Sequence, residues 1–127
     1  MQYLFDSNIL IYHLNGELNE SGIVLLEEGL AGEGAFSIIS RIELLGFHQP
    51  ALAEAQARAL MADLLEIPLS SEVAGQTIQI RKAHKIKLPD AIIAATALTH
   101  ALKLVTRNRR DFDQISGVLI VNPFEAH

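Results

Sequence analysis

Four carboxylates could do chemistry in this chain: Asp6, Glu43, Asp90 and Asp111. Each stands where the local pattern starts a helix. Asp6 closes the apolar run Tyr3-Leu4-Phe5, and Glu43 falls in the first turn after a second apolar run. Asp90 follows Pro89 at the head of an alanine-rich stretch, and Asp111 comes a few residues after Leu104-Val105-Thr106. Taken singly, every one has a structural use, because a carboxylate near a helix N-terminus accepts from free amides and favours the macrodipole. Ser40-Arg41-Ile42-Glu43 fits a capping box, and Pro89-Asp90 is a common helix opening. Ser, Thr or Asn would cap as well, so capping gives no reason for acids to be chosen in four separate segments. Two carboxylates about 4 Å apart repel by roughly 4 kcal/mol at an effective dielectric near 20. Raised pKa values or a divalent cation must offset that repulsion. An oxygen-only ligand set favours Mg²⁺ or Mn²⁺ over Zn²⁺, and such an ion can orient and activate water for attack on a phosphodiester.

A scaffold that gathers these acids is written in the hydrophobic pattern. Strands are expected over residues 3–5, 35–38, 103–106 and 118–121, and helices over 9–14, 18–30, 40–45, 51–65, 71–86 and 90–102. Ser40 is the expected cap of the third helix, and Ser70 or Ser71 of the fifth. Short buried strands alternating with helices predict an α/β fold, a three-layer α/β/α sandwich with a mainly parallel central sheet. In such sheets ligands gather beyond the carboxyl ends of the strands, where the four acids are expected.

Composition narrows the function classes. The 127 residues are half apolar and carry a net charge of −5, as expected for one soluble domain spanning residues 1–127. Without cysteine there are no disulfides, thiolate metal sites or thiol nucleophiles. The N-terminus does not read as a signal peptide and no run is long enough to span a bilayer, so the expected location is cytoplasmic. Eight of the ten basic residues lie between Arg81 and Arg110, a segment of charge +7 in an otherwise acidic chain. From this strip Lys85, Lys87, Arg107, Arg109 and Arg110 are candidates for phosphate contacts. His13, His48, His84, His100 and His127 show no helical pairing that would bind a metal. Neither a G-x-S-x-G elbow nor a phosphate-binding P-loop occurs. Five Phe and two Tyr are too scattered in the sequence to suggest a base-stacking platform. A receiver domain would need paired acids after the first strand, and a D-x-D phosphatase start fails at Asn8.

Four motifs in order carry a family resemblance: Phe5-Asp6-Ser7-Asn8, Ile39-Ser40-Arg41-Ile42-Glu43-Leu44, Leu88-Pro89-Asp90-Ala91, and Val105-Thr106-Arg107-Asn108-Arg109-Arg110-Asp111-Phe112. Together they resemble a PIN domain, in particular the VapC-type toxins of toxin–antitoxin pairs. The resemblance implies a metal-dependent endoribonuclease acting on RNA with Mg²⁺ or Mn²⁺, a homodimer, a VapB-like antitoxin and no membrane partner. Carried over residue by residue, it implies an acidic site of Asp6, Glu43, Asp90 and Asp111, supported by Asn8, Thr106 and Asn108. Asp113 competes for the fourth acidic position, and Asp111 is preferred because it directly precedes Phe112. The alternative is a catalytically silent PIN-fold module that binds nucleic acid or protein.

Overall fold

Tyr3-Leu4-Phe5 forms β1 (Tyr3–Phe5), the middle strand of a five-stranded sheet in the computed structural model, which describes residues 1–125. His127 and its place in the histidine reading lie outside the described residues. The other strands are β2 (Gly34–Ser37), β3 (Leu65–Ile67), β4 (Lys103–Val105) and β5 (Ile120–Val121). Their order is β3-β2-β1-β4-β5, and all four pairings are parallel. Seven helices cover the two faces among the described residues: α1 (Ser7–Leu14), α2 (Glu20–Glu28), α3 (Ile38–Leu45), α4 (Ala51–Ala62), α5 (Ser71–Ala83), α6 (Leu88–Thr99) and α7 (Arg109–Phe112). The α/β/α sandwich expected from the sequence is the observed architecture.

Alternation along each strand divides the interior in two. Leu4, Ala35 and Leu104 face a core shared with α5 and α6, where Val73, Ile80, Ile93 and Phe112 are buried. Phe5, Phe36 and Val105 point the other way, into a core with Ile9, Leu10, Leu26, Leu44, Leu60 and Met61. From β1 the chain steps outward to β2 and β3, then returns to the other side of β1 for β4 and β5. The crevice between the ends of β1 and β4 is therefore a topological switch point, where parallel sheets bind their ligands.

Several boundaries differ from the sequence expectation. α3 starts at Ile38, not at Ser40. Ser37 is extended and its Oγ accepts from the Ile39 amide at 3.1 Å, so an earlier serine takes the cap. Ser40 is then inside the helix, Glu43 falls in the second turn, and no capping box forms. The expected helix 51–65 ends at Ala62, and its last residue, Leu65, opens β3. Glu66 interrupts the apolar run of this strand, and Ala and Leu upstream favour helix. α5 stops at Ala83, where His84 turns extended. Helix α6 begins at Leu88 with Pro89 in its first turn, where a missing N–H has no cost, and ends before Ala101, whose φ is 52°. α2 runs from Glu20 to Glu28 and passes into a π-type turn, Gly29–Glu33, that closes on Gly32 at φ 120°. In the apolar stripe of α4, Leu60 and Met61 are buried while Leu52 is exposed.

The Phe5 ring that closes the second core lies against two glycines. A Cβ on Gly34 would fall 2.6 Å from Gly29 Cα, 2.8 Å from Phe5 Cε2 and 2.9 Å from Leu64 Cδ2. Because one of these atoms is backbone, rotamer changes alone cannot relieve the clash. Gly34→Ala is expected to destabilise the protein by about 2–3 kcal/mol, read as a lower denaturant midpoint at unchanged slope. An unchanged midpoint would refute this packing.

Candidate active site

The switch-point crevice is built by the residues that leave β1 and β4. Asp6 directly follows β1 and its amide donates to the Val105 carbonyl at 2.9 Å, which ties the start of α1 to the neighbouring strand. As the N-cap of α1, Asp6 accepts from the Ser7 amide at Oδ1, 2.7 Å away. Its Oδ2 accepts from Thr106 Oγ1 at 2.8 Å and from Asn8 Nδ2 at 3.4 Å. Thr106 directly follows β4 and is fully buried. Its hydroxyl donates to Asp6 and accepts from the Asn108 amide at 3.0 Å. Asn108 passes the chain of bonds on, because its Nδ2 donates to Asp111 Oδ2 at 2.6 Å. It occupies the N-cap position of α7 without a side-chain capping bond.

Glu43 reaches the same place from α3. Ser7 Oγ donates to Glu43 Oε1 at 2.8 Å and lies 2.8 Å from Ser40 Oγ. A hydroxyl has one proton, so with that of Ser7 given to the carboxylate, Ser40 donates to Ser7. Asp90 comes from the first turn of α6, and with Asp111 it lines a cleft of about 510 Å³ whose other walls are Arg81, Lys85, Ile86, Lys87 and Gln114.

Asp6, Glu43 and Asp90 are within electrostatic reach of one another, and Asp111 is within reach of Asp90. Burial, with Asp6 only 6% exposed, pushes its carboxyl up to about 6. The Thr106 and Ser7 hydrogen bonds oppose that rise, while the charges of Asp90 and Glu43 add to it. Asp90 is also raised, by desolvation and then by Asp111 and Glu43, with partial relief from Lys87. Among the described residues none of the four acids has a Lys, Arg or His partner at ion-pair distance. The repulsion inferred from the sequence is therefore present between Asp6, Glu43 and Asp90 and between Asp90 and Asp111, and the protein offsets it only in part, through Lys87.

That donor set suits a hard divalent cation: all oxygens, mutually repelling, and lacking cationic partners. Asp6 Oδ1 keeps a lone pair beyond its one hydrogen bond, while Oδ2 already accepts two, and Glu43 Oε2 accepts none among the described residues. Among the described residues no three acids converge as a finished cage. Mg²⁺ does not require one, since it keeps several waters and is bound through one or two carboxylates.

The remaining residues singled out in the sequence divide. Asp111 faces the cleft, whereas Asp113 points at Arg109, 3.7 Å away, and is largely exposed. Lys85 and Lys87 line the cleft beside Asp90. Arg107 and Arg109 are engaged within the protein, Arg107 with Tyr12 and Phe124 and Arg109 with Glu125 and Asp113. Arg110 is exposed. Sequence reasoning missed Ser7, Ser40, Arg81 and Gln114. Ser7 had a local signal, since it follows Asp6 directly. Ser40 was obscured by its apparent fitness as a cap.

Comparison with known proteins places this geometry. A comparison with curated proteins gives no match. Among solved structures, a chain of a toxin–antitoxin complex from Klebsiella pneumoniae is 35% identical, with a TM-score of 0.80 over 98% of this chain and 100% of that one. Two others share the fold at lower identity. VapBC2 from Rickettsia felis, bound to a promoter DNA fragment, is 23% identical with a TM-score of 0.82, covering 96% of this chain and 98% of that one. FitAcB from Neisseria gonorrhoeae is 24% identical with a TM-score of 0.79, covering 98% of this chain and 100% of that one. The family model for the PIN domain matches residues 3–118, a span that takes in all four acids and both strands of the crevice. With that sheet order, those acids and that match, the chain belongs to the PIN domain family.

Proposed function

We propose that this protein is a metal-dependent endoribonuclease of the VapC type, acting as one domain on RNA phosphodiester bonds. The observation that carries the reading is that Asp6 and Asp90 are held at a raised charge cost by burial and by their acidic neighbours at the switch point, while none of the four acids has an ion-pair partner among the described residues. A scaffold gains nothing by holding that repulsion.

Asp6, Glu43, Asp90 and Asp111 would hold Mg²⁺ or Mn²⁺. A cation bound there supplies an activated water and neutralises charge building on the phosphate oxygens. The protein's own part is positional. Thr106 and Asn8 fix the plane of the Asp6 carboxylate, Ser7 holds Glu43 by one oxygen, and Asn108 does the same for Asp111. Lys85 and Lys87, which line the cleft beside Asp90, attract the strand's backbone and bring the scissile phosphate toward the acids. Hydrolysis by this route leaves a 5′-phosphate and a 3′-hydroxyl.

Support for a partner comes from the Klebsiella pneumoniae relative, which is a toxin–antitoxin complex. By that likeness the protein is expected to work in the cytoplasm as a homodimer, with a VapB-like antitoxin blocking the cleft. Among the described residues no helix is long and apolar enough to cross a membrane.

One observation favours the alternative, a catalytically silent binding module: no three acids form a finished cage among the described residues. Incubation with single-stranded RNA separates the two readings. Cleavage is expected with Mg²⁺ or Mn²⁺, yielding 5′-phosphate ends, and is expected to stop on chelation. RNA left intact at every metal concentration would overturn the nuclease reading.

A further inference from the structure

Tyr12 and Phe124 are 112 positions apart in the sequence, yet their rings meet with centroids 5.3 Å apart, tilted by 57°. The Arg107 guanidinium rests on this pair, 4.3 Å from the Phe124 ring and 5.3 Å from that of Tyr12, and one of its nitrogens donates to the Tyr12 hydroxyl at 3.2 Å. The backbone beneath is fixed on both sides. Asn8 Oδ1 accepts from the Arg107 amide at 3.4 Å, and Asn122 Nδ2 donates to the Arg107 carbonyl at 3.1 Å. Asn122 in turn accepts from the Phe124 amide, and Asn19 holds the Pro123 carbonyl, so the turn carrying Phe124 is itself anchored. The result is a planar cation held by two rings and one hydrogen bond, while the residue as a whole remains exposed.

Its place relative to the acids gives it a use. Arg107 directly follows Thr106, which donates to Asp6, and Asn8 touches both Asp6 and the Arg107 amide. Tyr12 lies four residues beyond Asn8 on α1, about 6 Å along the axis, so the guanidinium resting on it is displaced along the helix from Asp6. A guanidinium free to rotate would serve as a point contact for phosphate. One restrained against aromatic rings and by a bond to the Tyr12 hydroxyl can offer a planar face to an unpaired base.

We propose that Arg107, backed by Phe124 and Tyr12, is a base-stacking subsite that receives an unpaired nucleobase of single-stranded RNA next to the bond to be cut. This rests on the nuclease reading and assigns Arg107 to a base instead of to a phosphate. It makes Arg107 a positioning and specificity residue: the stacked base fixes which phosphate reaches the acids, and a duplex, whose bases are already stacked, is disfavoured.

The test uses a single-stranded oligoribonucleotide carrying 2-aminopurine at successive positions, with Ca²⁺ replacing Mg²⁺ to limit turnover. Binding is read by anisotropy and stacking by quenching of the 2-aminopurine emission. The wild-type protein is expected to quench one position strongly. Arg107→Lys, which keeps the charge and loses the plane, and Phe124→Leu, which removes the supporting ring, are expected to lose most of that quenching and to bind about tenfold more weakly. A strand abasic at the quenched position is expected to bind the wild type and Arg107→Lys equally. If the wild type binds RNA with no position quenched, or if Arg107→Lys lowers the melting temperature but quenches normally, the triad merely anchors the C-terminal turn. The subsite is then refuted while the nuclease reading stands. If no RNA is bound at all, both fall.

Discussion

Asp6→Asn is expected to lower metal-dependent RNA cleavage by about 1000-fold while leaving the metal-free protein at least as stable as the wild type at neutral pH. The activity loss follows from the carboxylate's place at the centre of the site, where it is coupled to Asp90 and Glu43 and faces the crevice between β1 and β4. A metal ion contributes several kcal/mol of charge stabilisation, and each 1.36 kcal/mol lost is about tenfold in rate. The stability outcome separates this from simple unfolding. Asn is as good an N-cap as Asp, so its carbonyl can still accept from the Ser7 amide. An amide in place of Oδ2 costs the bonds donated by Thr106 and Asn8, and this is offset by removal of a buried charge. Asp90→Asn should lower cleavage in the same direction without unfolding the protein. Full activity in both variants, measured on protein shown to be folded, would refute the site.

The second large effect is a pH dependence that metal reverses. The Asp6 carboxyl is pushed up to about 6 in the folded chain, from 3.8 for a free side chain. Between those values the folded protein holds a proton that the unfolded chain has released. The slope of stability with pH depends on protons bound unfolded minus folded, so this term is negative and stability falls as pH rises from about 4 to about 6. The full loss is about 3 kcal/mol at 1.36 kcal/mol per unit. Asp90 adds to it in the same direction, being raised by burial and by its acidic neighbours. Subtracting the Asp6→Asn profile from that of the wild type isolates the Asp6 part from the other carboxylates. Without metal, the wild type is expected to lose about 10 °C of melting temperature relative to Asp6→Asn between pH 4 and pH 7.5. Mn²⁺ at pH 7.5 should restore most of it, because the cation stabilises the ionised carboxylate, and should do little at pH 4, where it must displace a proton. A difference profile flat across this range, or one untouched by Mn²⁺, would mean that the acids are not a metal centre.

Much of the scaffold could be read before folding because its elements have strong local causes. Tyr3–Phe5 and Lys103–Val105 are short apolar runs bounded by polar residues, and Pro89 marks the start of α6. The α4 segment is rich in helix formers after Pro50. Local reasoning failed where two local solutions compete. Ser37 and Ser40 are both good caps, and only the end of β2 against β1 and β3 makes Ser37 the extended one. β3, as short as β1 and β4, was invisible because Glu66 breaks its apolar run and Leu65 continues the leucine-rich helical stretch, and its pairing with β2 supplies the hydrogen bonds that make it a strand.

The sequence by itself determined the chemistry available: four oxygen-donor acids, no thiol, a basic segment from Arg81 to Arg110, and a β-α alternation that forces a parallel sheet. It also determined that Asp6, Asp90 and Asp111 stand beside a strand or helix end, since strand and helix periods are local properties, whereas Glu43, expected in a first turn, lies in the second turn of α3. Tertiary structure decided which groups meet. Asp6 and Thr106 are 100 residues apart and hydrogen-bonded because β1 and β4 are neighbours at the switch point. Ser7 became the support of Glu43, and Arg107 was laid on Tyr12 and Phe124, for the same reason. Hydrogen bonds act over about 3 Å of space and are blind to separation along the chain, so only the closed sheet could bring their partners together.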